Sequence, residues 1–246
     1  MSKRKKIKKS LKKYIFNVLI ILFVLLTGYF SFHLFFSYRD EVDTHKMIEK
    51  IHKEIVTVSA DDTLAIDFSK LKEENSDTVG YLWIEDTSIS YPVVQGPDNS
   101  YYLRRGFDKS YNQRGWIYMN SENHADMSDQ NTVLFGHNTL DDTMFGPLLD
   151  LYEGRLGNNI QIHYDTEKEK RVYQVYSTYL ASPYDGSGIS TQVLPNFYDA
   201  TKAKSALDFL EVTEKSKPIL TLSTCYYTNK NRIIVHAILI ESESLS

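Results

Sequence analysis

Residues 218–225 read Pro218-Ile219-Leu220-Thr221-Leu222-Ser223-Thr224-Cys225, and this stretch decides how the rest of the chain is interpreted. It is rich in β-branched and other apolar residues, which is typical of a β-strand. Cys225, the single cysteine of the 246 residues, closes the strand. Arg232 opens the next strand-like run after six intervening residues. If the two strands pair as a hairpin, Cys225 and Arg232 face each other at its mouth.

Further runs of the same kind precede and follow this stretch and predict a mainly β fold. Turn-forming residues such as Gly96-Pro97-Asp98-Asn99 and Gly157-Asn158-Asn159 separate them. A helix is predicted at Tyr198–Glu211 and a shorter one from Asp67, a possible N-cap. Many short strands without regular helix alternation indicate an antiparallel barrel or sandwich. The predicted strands are Val79–Ile84, Ile89–Val94, Thr132–Phe135, Ile160–Tyr164, Arg171–Leu180, Ile219–Thr224 and Arg232–Ile240.

The N-terminal 37 residues differ from the rest in charge. They hold eight basic and no acidic side chains, and Tyr14–Phe36 contains no charged residue. This run is long enough to cross a bilayer, and it exceeds the roughly 7–15 apolar residues of a cleaved signal peptide. We therefore expect a cytoplasmic tail (1–13), a transmembrane signal anchor (14–36), a helical spacer (37–76) and an extracellular β domain (77–246).

The folded part of the chain is acidic. Removing the eight N-terminal basic residues from the total of 28 leaves 20 basic against 32 acidic side chains. That balance argues against nucleic acid as a partner, because binding to polyphosphate requires clustered positive charge. A single cysteine also excludes an internal disulfide framework and a zinc site of the CxxC type.

Cys225 has two interpretations. A free cysteine is often a buried structural residue. A thiol at a strand end beside a guanidinium is instead suited to nucleophilic chemistry, for which a histidine normally shuttles the proton. His137 leaves a predicted strand at the turn Phe135-Gly136-His137-Asn138 and is the best candidate among the seven histidines. Arg232 taken alone is equally explained as a solvated charge.

These residues resemble the signature of sortases, the membrane-anchored cysteine transpeptidases of Gram-positive bacteria. The similarity is to class B in particular. The Cys-to-Arg spacing is shorter here than in some class B enzymes. The matching stretches are Thr221–Cys225 with Arg232, Tyr91–Gly96, Asn99–Leu103, Gly115–Asn120, Gly136–Asn138 and Thr143–Leu148.

The resemblance implies a closed eight-stranded β-barrel with N-terminal helices and a helix in the long loop before the cysteine strand. It implies that Cys225 attacks a C-terminal sorting motif of secreted proteins after Thr, forming a thioester. His137 would move the proton and Arg232 would stabilise the oxyanion. An amine of a peptidoglycan precursor of the lipid II type would resolve the thioester, without metal or cofactor.

The resemblance also suggests substrate-binding residues. Ser223 lies two residues before Cys225 and so on the same strand face. Asn99 and Leu103 match class B positions that line the substrate groove, and Ile189 lies in the long loop that resembles its wall. Core packing explains Leu103 and Ile189 at least as well. Two other functions stay open, namely pilin polymerisation by a sortase and a membrane-tethered β adhesion module in which Cys225 has no catalytic role.

Overall fold

The computed structural model describes residues 2–58, 64–182, 184–226 and 230–245, and side chains from residue 12 onward except those of residues 58 and 187. The chain divides into two compact units, residues 1–45 and residues 46–246. Helix α1 (Ser2–Glu54) supplies all the secondary structure of the first unit. The second unit contains the β domain.

Within the first unit, the side chains of residues 14–34 are exposed to the surroundings, and most of them are large and apolar. Of the described residues, only this helix is long and apolar enough to cross a membrane. A signal sequence near an N-terminus would meet the same test. The helix is therefore compatible with the predicted anchor.

The second unit is built mainly from strands. Two short strands, β1 (Val56–Val58) and β2 (Leu64–Ile66), pair with each other and precede helix α2 (Phe68–Glu74). Helices α3 (Leu148–Tyr152) and α4 (Phe197–Lys202) lie in connections between later strands. Those strands are β3 (Thr78–Ile84), β4 (Ser90–Val94), β5 (Tyr118–Met119), β6 (Asn131–Phe135), β7 (Gln161–Asp165), β8 (Glu169–Ala181), β9 (Ile219–Tyr226) and β10 (Asn231–Ser244).

Strands β3 to β10 close into a barrel in the order β10-β8-β7-β3-β4-β5-β6-β9. The predicted fold class, a closed eight-stranded barrel with accessory helices, is confirmed. The pairing is mixed, because β4 pairs with β5 and β6 pairs with β9 in parallel, whereas the other pairs are antiparallel. The parallel β6–β9 pair brings the C-terminal ends of both strands to the same rim, and Cys225 lies at the end of β9.

The seven strands predicted from their residue composition are all present, with small changes at their ends. Strand β5 was not predicted, because two residues are too short for a periodic pattern. The predicted helical spacer also contains the strands β1 and β2. The prediction for α2 is confirmed in detail, since the Asp67 carboxylate accepts a hydrogen bond from the Lys70 backbone N–H at 3.1 Å and caps the helix.

The helix predicted over Tyr198–Glu211 is wrong in length, because α4 ends at Lys202. The chain leaves the helix to bind strand β8. The backbone N–H of Ala206 donates to the Thr178 carbonyl at 2.7 Å, and the Thr178 N–H donates to Ser205 Oγ at 3.1 Å. These tertiary hydrogen bonds replace the helical ones that the apolar spacing predicted.

The long connection from β8 to β9 covers one outer face of the barrel. Phe197 and Tyr198 of α4 pack against Tyr176, Ile219 and Ile238 on the outside of β8, β9 and β10. Earlier in the same connection, Ile189 packs on a small cluster formed by Tyr179, Ala181 and Ile234. The outer face of β9 that carries Thr221, Ser223 and Cys225 thereby acquires a side wall.

Candidate active site

The predicted hairpin between the cysteine strand and the arginine strand is present. Strands β9 and β10 are antiparallel, and their register pairs Cys225 directly with Arg232. Cys225 is partly exposed. A position at a strand end with solvent access is what a nucleophilic thiol requires and what a structural core cysteine lacks. The guanidinium of Arg232 makes no hydrogen bond or ion pair with any residue in the described ranges.

The loop that carries His137 is bound to the end of the cysteine strand. Phe135 pairs with Ser223 in the parallel β6–β9 ladder. Beyond that pair, the Thr224 hydroxyl donates to the Gly136 carbonyl at 2.8 Å. The Asn138 side-chain amide then donates to the Cys225 carbonyl at 2.9 Å. His137 lies between these two bonds, so the structure brings it to the same rim as Cys225 and Arg232.

The orientation of the His137 ring follows from a single contact. Its Nε2 lies 2.9 Å from the Leu103 carbonyl oxygen. A carbonyl can only accept a hydrogen bond, so Nε2 carries a hydrogen and donates it. The other ring nitrogen, Nδ1, is then the one that can take up and release a proton.

Gly115 makes this seat for the histidine possible. Its backbone has φ of +61°, in the left-handed region that favours glycine. A Cβ at this position would lie 2.6 Å from the Tyr102 carbonyl oxygen, 2.8 Å from that of Leu103 and 3.0 Å from Cδ2 of His137. Only glycine therefore allows the 101–104 turn and the His137 ring to approach each other.

Tyr118 on β5 is a site residue that the sequence analysis did not identify. Burial raises the pKa of its phenol to about 12, with the nearby Arg232 lowering it and Cys225 raising it. The Tyr118 hydroxyl donates to the Asn99 carbonyl at 2.9 Å. The phenol is thus close to both groups and remains protonated at neutral pH. The sequence signal for it was the stretch Gly115–Asn120, whose individual side chains carried no chemical pattern.

Ser223 is buried beneath the site. Its side chain lies on the same face of β9 as Cys225, two residues earlier. Within the described part of the chain its hydroxyl has no hydrogen-bond partner. A buried hydroxyl left unpaired costs free energy, and a bound group beside it would remove that cost.

The other three predicted substrate residues occupy different situations. Asn99 is exposed, and its amide is already bonded, donating to Asn120 Oδ1 at 2.9 Å and accepting from the Ser121 N–H at 2.8 Å. Leu103 is 39% exposed, and its carbonyl holds His137. Ile189 is partly buried against the outer face of β8 and β10. The structure therefore brings Leu103 next to the histidine, whereas the Asn99 side chain mainly supports a loop.

The remaining barrel histidines have other roles. The ring of His163 stacks on Trp83 with ring centroids 3.5 Å apart, on strands β7 and β3. His124 lies in a loop and bonds Asp129 at 2.9 Å. His236 is fully buried, and burial lowers its pKa to about 3, with the positive charge of Lys204 acting in the same direction. In the described ranges, His137 is the histidine whose loop is bonded to the cysteine strand.

Comparison with known proteins places this geometry in context. The sequence model of the Sortase domain matches residues 82–240. Sortase B of Staphylococcus aureus (strain NCTC 8325 / PS 47) is 30% identical over 236 residues, which cover 92% of this chain and 96% of that protein. The X-ray structure of Clostridium perfringens sortase B has a TM-score of 0.66 at 30% identity and covers 71% of this chain and 100% of that chain. A structure of a Staphylococcus aureus sortase B–substrate complex has a TM-score of 0.67 at 29% identity, covering 83% and 97%.

Proposed function

We propose that this protein cleaves a C-terminal sorting motif of secreted proteins after Thr. The proposal follows from its family, because the chain belongs to the sortases and within them to class B. As a member of that class it is a cysteine transpeptidase with a role in cell-wall anchoring. The acceptor in this proposal is an amine of a peptidoglycan precursor of the lipid II type. One arrangement supports the proposal most directly. Cys225 pairs with Arg232 at the rim of the barrel, and the hydrogen bond from Asn138 to the Cys225 carbonyl holds the His137 loop at the same rim.

The first half of the reaction forms a thioester. The Cys225 thiolate attacks the carbonyl carbon of the Thr residue, and the carbonyl electron pair moves to oxygen. The tetrahedral intermediate collapses, the peptide C–N bond breaks, and protonated His137 gives its Nδ1 proton to the departing amine. The hydrogen bond from Nε2 to the Leu103 carbonyl supports this step, because it keeps Nδ1 directed away from that carbonyl.

The second half transfers the acyl group. An incoming amine attacks the thioester carbonyl and loses a proton to neutral His137, and the Cys225 sulfur leaves as thiolate. A thioester retains enough free energy for an amine to displace it, so one site both breaks and forms an amide bond. The starting protonation states of Cys225 and His137 are thereby restored.

Arg232 is proposed to stabilise charge. Arg232 lies opposite Cys225 in the hairpin, and its guanidinium has no competing partner in the described ranges. A planar guanidinium can donate two hydrogen bonds to an oxyanion that develops beside it. The Tyr118 phenol lies close to both groups and stays neutral, and its hydroxyl already donates to the Asn99 carbonyl, so it supports the site without donating to the oxyanion.

Substrate contacts in this proposal involve Ser223, Leu103 and Ile189. The unpaired Ser223 hydroxyl supports a hydrogen bond to bound peptide. Leu103 offers apolar surface beside His137, and Ile189 offers apolar surface in the loop that packs on β8 and β10. Asn99 is proposed to contribute through its loop, because its side-chain amide is bonded within the protein.

The first unit is proposed to be a membrane anchor. The exposed apolar side chains of residues 14–34 require an apolar environment, which a bilayer provides. The basic residues before them favour a cytoplasmic N-terminus, which places the β domain outside the cell. We retain the division into tail (1–13), anchor (14–36), spacer (37–76) and catalytic domain (77–246) as part of this proposal.

The proposal is tested with the full chain in detergent micelles. A peptide library that spans NPQTN-like and LPxTG-like motifs is incubated with the protein, and products are identified by mass with and without added oligoglycine. Cleavage after Thr and joining to the amine are expected, together with a Cys225 acyl adduct that Cys225→Ala lacks. Transfer only to a protein lysine would favour pilin polymerisation. No cleavage and slow alkylation of Cys225 by iodoacetamide would favour the adhesion module.

A further inference from the structure

A continuous chain of buried hydrogen bonds lies on the outer face of the barrel, below Cys225. The Asn131 side-chain amide donates to the Ser190 carbonyl at 2.8 Å. Thr221 Oγ1 lies 2.7 Å from Asn131 Oδ1 and 2.8 Å from His236 Nδ1. His236 Nε2 lies 3.1 Å from the Tyr179 hydroxyl. Three of these side chains are fully buried, and Tyr179 is 4% exposed.

The direction of every bond in this chain follows from its Ser190 end. The Ser190 carbonyl can only accept, so the Asn131 nitrogen faces it and the Asn131 oxygen faces Thr221. The single hydroxyl proton of Thr221 therefore goes to Asn131. Thr221 then has only a lone pair for His236, so His236 Nδ1 must carry a hydrogen. The other nitrogen of the neutral ring accepts the Tyr179 proton.

The charge state of the groups agrees with this assignment. Burial lowers the pKa of His236 to about 3, so the ring is neutral at physiological pH. Burial also raises the pKa of Tyr179 to about 12, so its hydroxyl keeps the proton that it donates. The charged groups that act on these rings are Lys204 and Asp185, which pair with each other at 3.7 Å; Lys204 Nζ lies 5.3 Å from the centroid of the Tyr179 ring.

Both ends of this series of hydrogen bonds contact the same loop. The loop begins with a single 3₁₀ turn, Gly186–Ile189. Gly188 lies over the Tyr179 hydroxyl, since a Cβ on Gly188 would be 2.4 Å from that oxygen. Ser190 is held by Asn131 at the other end. Ile189, between these two contacts, packs on Tyr179, Ala181 and Ile234.

We propose that Tyr179, His236, Thr221 and Asn131 form a buried relay that positions the 186–190 loop for binding of the sorting peptide. The inference rests on the proposed function, in which Ile189 forms one side of the peptide groove. These four are positioning residues, because none of them touches the reacting atoms. They determine how tightly the peptide binds, and His137, Cys225 and Arg232 determine the rate of the chemical step.

The decisive variant is Thr221→Val, which keeps the shape of the side chain and removes both of its hydrogen bonds. Thr221→Ser restores the hydroxyl and serves as the rescue variant. Thr178→Val is the matched control, since its buried hydroxyl donates to the Ile234 carbonyl at 3.1 Å and lies outside the relay. Tyr179→Phe interrupts the relay at its other end and provides a second test if Thr221→Val does not fold.

All variants are made in the full chain, and KM and kcat are measured for the best peptide of the library. Unpairing a buried donor and acceptor predicts that Thr221→Val raises KM about 5–20-fold, with kcat changed less than about twofold. Thr221→Ser and Thr178→Val should keep a KM close to that of the wild type. An unchanged KM in both Thr221→Val and Tyr179→Phe, or a loss confined to kcat, would overturn the proposal.

Two further measurements do not depend on peptide cleavage. Hydrogen exchange of the backbone at residues 184–192 should be faster in Thr221→Val than in Thr178→Val. A ¹H–¹⁵N correlation of the imidazole should show His236 with hydrogen on Nδ1 only. Equal exchange in the two variants, or a hydrogen on Nε2, refutes the relay even if the wild type cleaves peptides. If the wild type cleaves no peptide but exchange is still faster in Thr221→Val than in Thr178→Val, the relay is supported and the proposed function is refuted.

Discussion

Two histidines of the barrel, His137 and His236, show how differently the same side chain is used at two places 99 residues apart in sequence. His137 lies on the rim, with Nε2 bonded to the Leu103 carbonyl and its ring partly exposed. His236 is fully buried, and both of its nitrogens are bonded to neutral groups. The two rings differ in their remaining nitrogen. In His137 Nδ1 is left to exchange a proton with substrate, whereas in His236 both nitrogens are engaged in hydrogen bonds within the protein.

Replacing each histidine by glutamine should give the largest contrast. His137→Gln removes the proton shuttle, so we expect kcat/KM for peptide cleavage to fall roughly 10⁴-fold or more at unchanged stability. His236→Gln should lower the free energy of unfolding by about 1–3 kcal/mol and keep kcat within a few-fold, because it unpairs buried groups. Urea unfolding and peptide cleavage of both variants check this. A His137→Gln enzyme with more than a tenth of the wild-type kcat would contradict the role of His137.

Arg232→Lys tests whether the rim that holds His137 also stabilises the oxyanion. Lysine keeps the positive charge and loses the planar pair of donors, so we expect kcat to fall by roughly 10²–10³. Arg155→Lys is the control, since among the described residues the Arg155 guanidinium pairs with the surface carboxylates of Asp150 and Glu153 and with none of the site residues. The measurement is single-turnover formation of the acyl adduct on Cys225. Equal adduct rates in wild type and Arg232→Lys would show that the arginine is only a surface charge.

Gly115→Ala tests whether the seat of His137 is as specific as its contacts suggest. The new Cβ would collide with two backbone carbonyls and the His137 ring, so kcat should fall about 10–100-fold and stability by about 1–3 kcal/mol. Gly157→Ala is the matched control, because Gly157 also has positive φ, +84°, but has open space around it. That variant should lose only about 1 kcal/mol of stability and no activity. Similar cleavage rates in the two variants would argue against a positioning role for Gly115.

The rim could be predicted from sequence to a greater extent than the relay. Enrichment in β-branched and apolar residues identified β9 and β10, and the short gap between them predicted that Cys225 would face Arg232, as the register confirms. The hydrogen bond from His137 to Leu103 could not be predicted, because its acceptor is a backbone carbonyl, which every residue has. The relay could not be predicted either. Asn131, Thr221 and His236 belong to three different strands, and the periodicity of a sequence does not specify which strands pair. After α4 the helical pattern did not predict the structure, because residues 205 and 206 form hydrogen bonds with Thr178 instead of continuing the helix.

The smallest expected effect is the pH dependence of stability, which tests the buried member of the pair. The pKa of His236 is about 3 in the folded state, below its ordinary value of 6.5, so the unfolded state binds more protons between those values. Stability from this group is therefore complete above pH 6.5 and is lost as the pH falls toward 3. Between pH 7 and pH 5 the expected loss is about 2 kcal/mol.

Asp165 opposes this effect and partly masks it. Burial raises the pKa of Asp165 to about 6, so its folded state binds more protons and gains about 1 kcal/mol over the same pH interval. Urea unfolding at pH 7 and pH 5 should therefore show a steeper loss in Asp165→Asn than in wild type. Adding His236→Gln to Asp165→Asn should flatten it, while every other titrating group cancels in the comparison. A double variant that loses as much stability as Asp165→Asn alone would mean that His236 takes up its proton in the folded barrel, as His137 does in the proposed reaction.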